Sequence, residues 1–370
     1  MKRSPIVADR VKIGIIGSQF IAAVHAESFS KARNCEVIAV ASPNQERVEK
    51  FAQTHGIPRS FMNYREMLGL AEIDVVSLAL PNDLHLQATL SAAAAGKHVI
   101  CEKPIARTLD EADEMIAACK TAGVQLFYGE ELCFAPKYVR AKQLADDGAL
   151  GDVFLVKQSE EHSGPHSPWF WDVERSGGGA LMDMGCHGIA FARWVMGNRP
   201  IERVSATMGT FVHGDKTRGE DHVLCVLTFE GGAIAIIEDS WAKGGGMDDQ
   251  AAIYGTLGHT RADLIRGNSL TTYSEAGYGY AVEKAGLTTG WTFTIFEELW
   301  NYGFPQEMQY FVDCVQKGES SFIAGEDGRA ALEAIYAAYH SAGTGQAVPL
   351  PFLPPPGTKN PIDLWLNPAR

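Results

Sequence analysis

The sequence lacks the features that would mark a membrane-bound or nucleic-acid-binding protein. No apolar run approaches the roughly 18–20 residues of a membrane helix, and residues 1–10 are polar, so we expect no signal peptide. Positive charge is sparse, since 32 Lys and Arg stand against 45 Asp and Glu, for a formal net charge of −13. This deficit argues against nucleic-acid binding, and the absence of a basic cluster argues against a polybasic membrane anchor.

Cysteine is also scarce and forms no recognisable pattern. The seven cysteines are dispersed, odd in number and never spaced as C-x-x-C, which argues against a disulfide framework or a cysteine zinc site. Several lie in apolar surroundings, where cysteine behaves as a small buried hydrophobe. We therefore expect a protein of the reducing cytoplasm.

The residues that are present suffice for two globular domains. The chain has 370 residues, of which 46% are hydrophobic and 21% are charged, and this length suits two cores better than one. We place the first domain at residues 1–131 and the second at residues 132–370.

The first third of the chain alternates strands and helices. Short apolar runs predict strands at residues 11–16, 36–42, 74–80, 98–101 and 124–128. Thr108, with Glu111 three residues later, predicts an N-cap and a capping box for the helix that precedes the last of these strands. Such alternation is typical of an α/β domain with a doubly wound parallel sheet, which binds ligands beyond the carboxyl ends of its strands.

The pattern changes after about residue 131. Strand-like runs at residues 153–160, 204–211, 223–229 and 233–241 are not regularly separated by helices. Gly231 and Gly232, between the last two runs, predict a hairpin. We expect an α+β second domain with a large, mainly antiparallel sheet, open on one face and suited to an oligomer interface. The Pro-rich stretch from residue 349 predicts an extended C-terminal tail.

The loop after the first strand has most of a dinucleotide-binding fingerprint. Residues 17–22 read G-S-Q-F-I-A against G-x-G-x-x-G/A, so Gly17 and Ala22 fit and Gln19 replaces the middle glycine. The next helix still offers free N–H groups to a phosphate, although this motif alone also suits a purely structural turn. The second strand ends in A-S-P-N, at residues 41–44, without the acid typical of NAD sites or the arginine typical of NADP sites. We expect NAD and leave NADP open.

Three further segments make the pattern specific. P-N-D-L-H stands at residues 81–85, G-K-H-V-I-C-E-K-P at residues 96–104, and G-G-G-A-L-M-D-M-G-C-H at residues 177–187. In order and separation they resemble the Gfo/Idh/MocA family of oxidoreductases (relatives of glucose–fructose oxidoreductase and inositol dehydrogenase), from about residue 11 to residue 352. Gln19 is the clear departure from the family's pattern.

The resemblance implies the fold, the substrates and three site residues. It implies a Rossmann first domain, a second domain with a large open sheet, and homodimers or homotetramers. It implies sugars, inositols or related polyols as substrates. The family's catalytic lysine falls on Lys103, and its Asp/His pair falls on Asp183 and His187.

These three residue types suit the oxidation of a secondary alcohol. Hydride loss to nicotinamide is accompanied by proton loss to a base, which works best with a pKa near the working pH. An imidazole has an ordinary pKa of about 6.5, so we assign His187 as the base. We assign Lys103 as a donor to the substrate oxygen. Asp183, one helical turn before His187, is assigned as a hydroxyl acceptor that also biases His187.

The remaining candidates lie at strand ends and in loops. The candidate cofactor contacts are Gly17, Gln19, Phe20, Ile21, Ser42, Asn44, Leu80, Pro81, Asn82, His85, Glu102 and Lys103. The candidate substrate contacts are Lys103, Glu130, Trp169, Trp171, Asp183 and His187. His162 and His166 with Glu160 are metal-ligand types, but the intervening Gly and Pro indicate a loop without a further ligand at recognisable spacing, so we expect no metal site.

Three classes of function remain open. The first is an oxidoreductase that moves a hydride between nicotinamide and a secondary alcohol or ketone of a sugar, glycoside or inositol-like polyol. The second uses tightly bound NAD, as a glycoside hydrolase or lyase or a sugar–sugar oxidoreductase, and net turnover of added NAD would exclude it. The third is a non-catalytic ligand sensor, which has no need of Lys103, Asp183 and His187.

Overall fold

The computed structural model describes residues 10–266, 269–277, 288–295 and 297–368. The chain divides into two compact units. Unit 1 consists of Met1–Phe134 and Gly303–Ala330, and unit 2 consists of Ala135–Tyr302 and Ala331–Arg370. Residues 303–330 thus return to unit 1, whereas a division at residue 131 assigns them to the second domain.

Unit 1 alternates strands and helices. Its strands are β1 (Val11–Ile16), β2 (Cys35–Ala41), β3 (Ser60–Phe61), β4 (Val75–Leu78), β5 (His98–Glu102) and β6 (Leu126–Gly129). Its helices are α1 (Phe20–Lys31), α2 (Gln45–His55), α3 (Tyr64–Leu68), α4 (His85–Ala94), α5 (Leu109–Ala122) and, after the return of the chain, α10 (Phe304–Lys317). The strands form one parallel sheet in the order β3-β2-β1-β4-β5-β6. The predicted doubly wound sheet is confirmed.

The central strands of this sheet are apolar because helices cover both of their faces. Every residue of β4, β5 and β6 is buried, as is usual for parallel sheets. At the start of α5, Thr108 Oγ1 accepts the Glu111 N–H at 3.1 Å, which confirms the predicted N-cap. The Glu111 carboxylate accepts the N–H of Arg107 rather than that of Thr108, so the return bond of the capping box is displaced by one residue.

Unit 2 is built on a seven-stranded sheet. Its strands are β7 (Val153–Glu161), β8 (Ile201–Gly209), β9 (His222–Phe229), β10 (Ile234–Ser240), β11 (Asp248–Gly255), β12 (Gly258–Asp263) and β15 (Val348–Pro349), while β13 (Ser269–Ser274) and β14 (Gly290–Ile295) form a separate hairpin. Its helices are α6 (Pro136–Asp146), α7 (Val173–Ser176), α8 (Cys186–Val195), α9 (Glu298–Tyr302), α12 (Asp363–Leu366) and most of α11 (Gly325–Thr344), which begins in unit 1. The order is β12-β11-β7-β10-β9-β8-β15, and every pair except β7–β10 is antiparallel.

The seven-stranded sheet has one buried face and one half-buried face. Side chains of β9 alternate strictly between the two, which is the pattern of a sheet covered on one side. Gly231 and Gly232 both have φ of +85°, a conformation that suits the turn between β9 and β10. The predicted antiparallel sheet and its hairpin are confirmed.

The C-terminal stretch packs onto unit 2 despite its prolines. Ile362 and Leu364 are buried, and the Asn360 side-chain amide donates to Glu174 at 2.9 Å. Within the described ranges, no helix has the length and apolar character needed to cross a membrane.

Candidate active site

The turn after β1 is shaped by Gly17. Its φ is +125°, and a Cβ there would lie 2.1 Å from the carbonyl oxygen of Ala79, so only glycine fits. Gln19 precedes α1 with an extended backbone and an exposed side chain that makes no capping bond. Ala22 is fully buried, which permits close helix packing. The tight turn and the start of α1 therefore fit a dinucleotide pyrophosphate, whose contact with the backbone near Gln19 differs from the usual glycine arrangement.

The end of β2 is organised by two predicted cofactor contacts. The Ser18 hydroxyl donates to Ser42 Oγ at 2.8 Å, and the Asn44 side chain caps α2 by accepting the Arg47 N–H at 2.8 Å. Pro43 and Arg47 are exposed. The described loop carries no acidic side chain at the strand end, so the adenosine ribose would be recognised without the usual carboxylate.

The buried His85 side chain contacts the backbone of the loop after β4. The ring is fully buried, with Nε2 3.0 Å from the Leu80 carbonyl oxygen and Nδ1 3.1 Å from that of Pro104. Burial lowers the pKa of His85. The imidazole therefore links the loops that follow β4 and β5. Asn82, in the same loop, is 2% exposed.

The carboxyl end of β5 is fixed by a buried chain of three side chains. His25 of α1 lies between Ser77 of β4, at 2.6 Å from Nδ1, and Glu102 of β5, at 2.7 Å from Nε2. All three side chains are buried. The second oxygen of Glu102 accepts the backbone N–H of Lys103 at 3.2 Å. Glu102 is thereby anchored on both oxygens, and it holds the backbone from which Lys103 projects.

Glu130 is a buried acid whose pKa is affected by the charge of Lys103. It directly follows β6, is fully buried, and burial raises its pKa to about 8, while the Lys103 charge acts in the opposite direction. Its backbone N–H donates to Glu307 of α10 at 2.6 Å. Burial together with Glu131 and Glu102 raises the pKa of Glu307 well above its usual range. Unit 1 therefore brings Glu102, Lys103 and Glu130 to one edge of its sheet.

In unit 2, residues 177–179 form a glycine triplet, and close packing requires glycine at two of its positions. A Cβ on Gly178 would lie 2.1 Å from Tyr339 Oη, and one on Gly179 would lie 2.0 Å from the Glu220 carbonyl oxygen. The Glu220 carboxyl group accepts the N–H groups of Gly179 and Leu181 at 3.2 and 2.8 Å, and the Tyr339 hydroxyl donates to it at 2.8 Å. Glu220 thus caps the segment that carries Asp183 and His187, and its burial raises its pKa to about 7.

Asp183 and His187 lie on this capped segment. Leu181–Gly185 is a π-helical turn that runs into α8, so the spacing differs from the regular α-helical turn that the sequence predicts. Asp183 is 6% exposed and His187 is 2% exposed. The Trp241 indole N–H donates to Asp183 Oδ2 at 3.1 Å, which fixes the carboxylate.

The predicted aromatic contacts connect to this carboxylate. Trp171 packs edge-on against Trp241, with ring centroids 5.2 Å apart at 74°, and lies 5.0 Å from the His213 ring. His213 Nε2 lies 3.0 Å from the Trp241 carbonyl oxygen. Trp169 instead stacks on Phe170 at 3.7 Å. Trp171 is therefore linked to Asp183 through one indole ring.

Three carboxyl groups lie side by side under the segment that carries Asp183. Glu160 of β7 is in register with Asp239 of β10 on one side and with Asp249 of β11 on the other. All three are buried, and we call them the acidic row. Tyr138 donates to Asp249. Gln158, two residues before Glu160 on the same face of β7, is 2% exposed.

The predicted metal-ligand types do not converge. Glu160, His162 and His166 fail to bring a ligand atom each within 4.8 Å of one another. His162 and Glu160 are buried, whereas His166 is exposed.

Sequence reasoning missed four side chains around these sites: Glu220, Asp239, Trp241 and Glu307. Each lies far along the chain from the residue it supports, and none carries a motif of its own. The periodicity of β10 gave the only available signal, because an acid at the inward-facing position 239 breaks an otherwise apolar face.

Comparison with known sequences fits this architecture. Residues 11–130 match the oxidoreductase family with an NAD-binding Rossmann fold, Gfo/Idh/MocA, and residues 138–261 match the C-terminal domain of the same family. The chain belongs to the Gfo/Idh/MocA family. The resemblance inferred from the sequence, including an NAD-binding oxidoreductase fold, is confirmed.

Individual relatives extend over much of the chain. It is 27% identical over 347 residues to myo-inositol 2-dehydrogenase of Thermotoga maritima, covering 92% of this chain and 98% of the relative. It is 31% identical over 246 residues to trans-1,2-dihydrobenzene-1,2-diol dehydrogenase of Xenopus laevis, covering 66% and 71%. The solved structure of GenD2 from gentamicin A biosynthesis, in complex with NAD, has a TM-score of 0.87 at 30% identity and covers 95% of this chain and 99% of that one.

Proposed function

We propose that the chain oxidises a secondary alcohol of a sugar, glycoside or inositol-like polyol with NAD, or reduces the corresponding ketone. The observation that carries the proposal is the placement of Lys103 at the carboxyl end of β5, directly after a Glu102 that His25 holds in place. The inositol and diol dehydrogenases among its relatives support this reaction class. When bound, nicotinamide supplies the hydride acceptor or donor.

The protein side chains manage the proton and the orientation of the substrate. Lys103 donates a hydrogen bond to the reacting oxygen and stabilises its alkoxide character. An imidazole nitrogen of His187 takes the hydroxyl proton. Asp183, held by the Trp241 indole, accepts a hydrogen bond from a substrate hydroxyl. Because the pKa of Glu130 is about 8, this group is protonated at neutral pH and leaves Lys103 its charge for the substrate.

Two features of the whole protein belong to the same proposal. All seven cysteines are free and buried, which suits a reducing cytoplasm. The half-buried face of the seven-stranded sheet carries the apolar residues Leu155, Leu224, Val226 and Ile236, and we assign it to self-association into a homodimer or homotetramer.

The test is to denature the purified protein, assay the released dinucleotide, and follow absorbance near 340 nm with sugars and inositols. Exchangeable NAD reduced by one class of compound supports a dehydrogenase. A stoichiometric, non-exchanging dinucleotide without net reduction refutes it, in favour of the internal redox cycle of a hydrolase or sugar–sugar oxidoreductase.

A further inference from the structure

The acidic row places three buried carboxyl groups on adjacent strands of the seven-stranded sheet. Neighbouring strands lie about 4.8 Å apart, so the row from Asp239 through Glu160 to Asp249 extends about 10 Å across three strands. Burial, and then the charges of Glu160, Asp183, Asp249 and Glu161, raise the pKa of Asp239 well above its usual range. The charged groups with the largest effects on Asp239 are all acidic.

Asp239 differs in this respect from a carboxylate on the neighbouring strand. Asp221, just before β9, accepts three backbone N–H groups at 2.7–2.8 Å, and these bonds lower its pKa. Neither oxygen of Asp239 has a hydrogen-bond partner among the described residues, although the side chain is 0% exposed. Because buried polar groups nearly always have a partner, this one is an exception that needs an explanation.

Gln158 is a second and independent exception on the same face. In the part of the chain that the structure describes, neither its amide nitrogen nor its amide oxygen has a hydrogen-bond partner, and the residue is 2% exposed. A Cβ on Gly188 would lie 2.4 Å from its oxygen, and one on Gly185 would lie 3.0 Å from Asp239 Oδ2. The unpartnered atoms therefore lie directly beneath the segment that carries Asp183 and His187.

The shape of the row suits an organic cation better than a metal ion. Among the described residues of unit 2, no three acidic, histidine or cysteine side chains bring ligand atoms within 4.8 Å of one another, whereas Ca²⁺ and Mg²⁺ need about six oxygens around one point. An ammonium group donates three hydrogen bonds, and a polyhydroxylated ring can distribute donors over the remaining length. Glu160 of the row and the nearby Asp183, each 6% exposed, are closer to solvent than Asp239 and Asp249, which are 0% exposed.

We propose that the acidic row and Gln158 recognise a protonated amino group, so that the substrate of this enzyme is an amino sugar or an aminocyclitol. The inference rests on the proposed function, because it assigns the substrate class of the same reaction. The ammonium group lies against Glu160 and Asp183, and Asp239 and Gln158 supply the acceptors behind them.

Matched pairs of compounds test this proposal: glucose against glucosamine, and scyllo-inositol against scyllo-inosamine. The measurements are kcat/KM from NADH formation and Kd from calorimetry at saturating NAD. The wild-type protein should prefer the amine of at least one pair by about 30-fold or more, the scale of a desolvated charge pair. Glu160→Gln and Asp239→Asn should each reduce that preference about tenfold or more. The loss of kcat/KM with the neutral member of each pair should be smaller than the loss with the amine.

Glu238→Gln is the matched control, because it removes an acid from the same strand as Asp239 but from the opposite face of the sheet. It should leave the amine preference unchanged. Equal use of both members of each pair overturns the inference while leaving the proposed function intact. The inference is also overturned if Glu160→Gln and Asp239→Asn leave the amine preference unchanged. It is likewise overturned if these two variants lower kcat/KM equally for all compounds.

Two further outcomes separate the proposals. If calorimetry shows that the wild-type protein binds Mg²⁺ alone and that Asp239→Asn does not, the acidic row is a metal site and the amine-recognition proposal is overturned. Amine binding that depends on Glu160, without reduction of NAD by any compound, would preserve the inference and refute the proposed function.

Discussion

Glu102 in unit 1 and Asp239 in unit 2 are both buried carboxyl groups at or next to the end of a strand, yet the protein treats them differently. Glu102 is bonded through both oxygens, to His25 and to the N–H of Lys103. Neither oxygen of Asp239 is hydrogen-bonded to any residue that the structure describes. A satisfied buried network makes a rigid support, whereas an unsatisfied one retains affinity for an incoming group. The comparison therefore separates a supporting carboxyl group from a recognition carboxyl group.

The largest effect is expected when the side chain whose backbone Glu102 holds, that of Lys103, is removed. Lys103→Ala should lower kcat/KM about 10³-fold, because it deletes the donor to the developing alkoxide. The affinity for NAD, measured by fluorescence titration, should change little. Lys120→Ala, on the exposed side of α5, is the control and should retain full activity. Turnover near the wild-type level in Lys103→Ala would refute the assignment.

The second prediction concerns His187 in unit 2, the group that we assign as the base. His187→Asn should lower kcat about 10²-fold and flatten the acid limb of the pH–rate profile, since the base is lost while the side-chain volume is nearly kept. The measurement is kcat/KM from pH 5 to pH 9. An unchanged profile would show that another group takes the proton.

The support of Glu102 is tested by His25→Leu. The buried carboxylate loses its partner on Oε1, which should cost about 1–3 kcal/mol of unfolding free energy. A displaced Lys103 should reduce kcat about 10- to 100-fold. Urea denaturation and steady-state kinetics measure the two effects. His55→Leu, at the end of α2, is the matched control. A loss of stability without any loss of kcat would limit His25 to a structural role.

Glu220 gives a pH-dependent test in unit 2. Burial raises the pKa of Glu220 in the folded protein to about 7, from its ordinary value of 4.5. Between these values the folded state binds more protons than the unfolded state, so this group lowers the free energy of unfolding as pH rises from about 4.5 to about 7. Glu220→Gln should therefore lose less Tm between pH 5 and pH 8 than the wild type. Glu230 is exposed, so Glu230→Gln is the control and should behave like the wild type. The same dependence of Tm on pH in the wild type and both variants would contradict the raised pKa of Glu220.

The smallest effect is expected at Gln19. Because its side chain is exposed and makes no capping bond, Gln19→Gly should leave the Kd for NAD unchanged or slightly lower. Clearly weaker binding by titration would show that the Gln19 amide contacts the phosphates.

Unit 1 was more predictable from sequence than unit 2, for a physical reason. Its strands are buried on both faces, so continuous apolar runs mark them, and the loop motifs lie within a few residues of the strands that position them. Glu220 and Trp241 are instead brought to Asp183 by a long chain reversal and by strand register. Local patterns carry no information about such distant partners. The bond from His25 to Glu102 spans 77 residues and was hidden for the same reason.

The glycine triplet limits how this enzyme can change over time. Side chains at Gly178 and Gly179 would overlap Tyr339 and Glu220, so no single substitution there is tolerated without a second one elsewhere. The segment that carries Asp183 and His187 is therefore a fixed reference point. Strand positions such as 158, 160 and 239 already carry side chains, so replacement by a residue of similar size introduces no such overlap. Laboratory selection for new substrates should consequently find its successful variants on the sheet, and leave the glycine turn untouched.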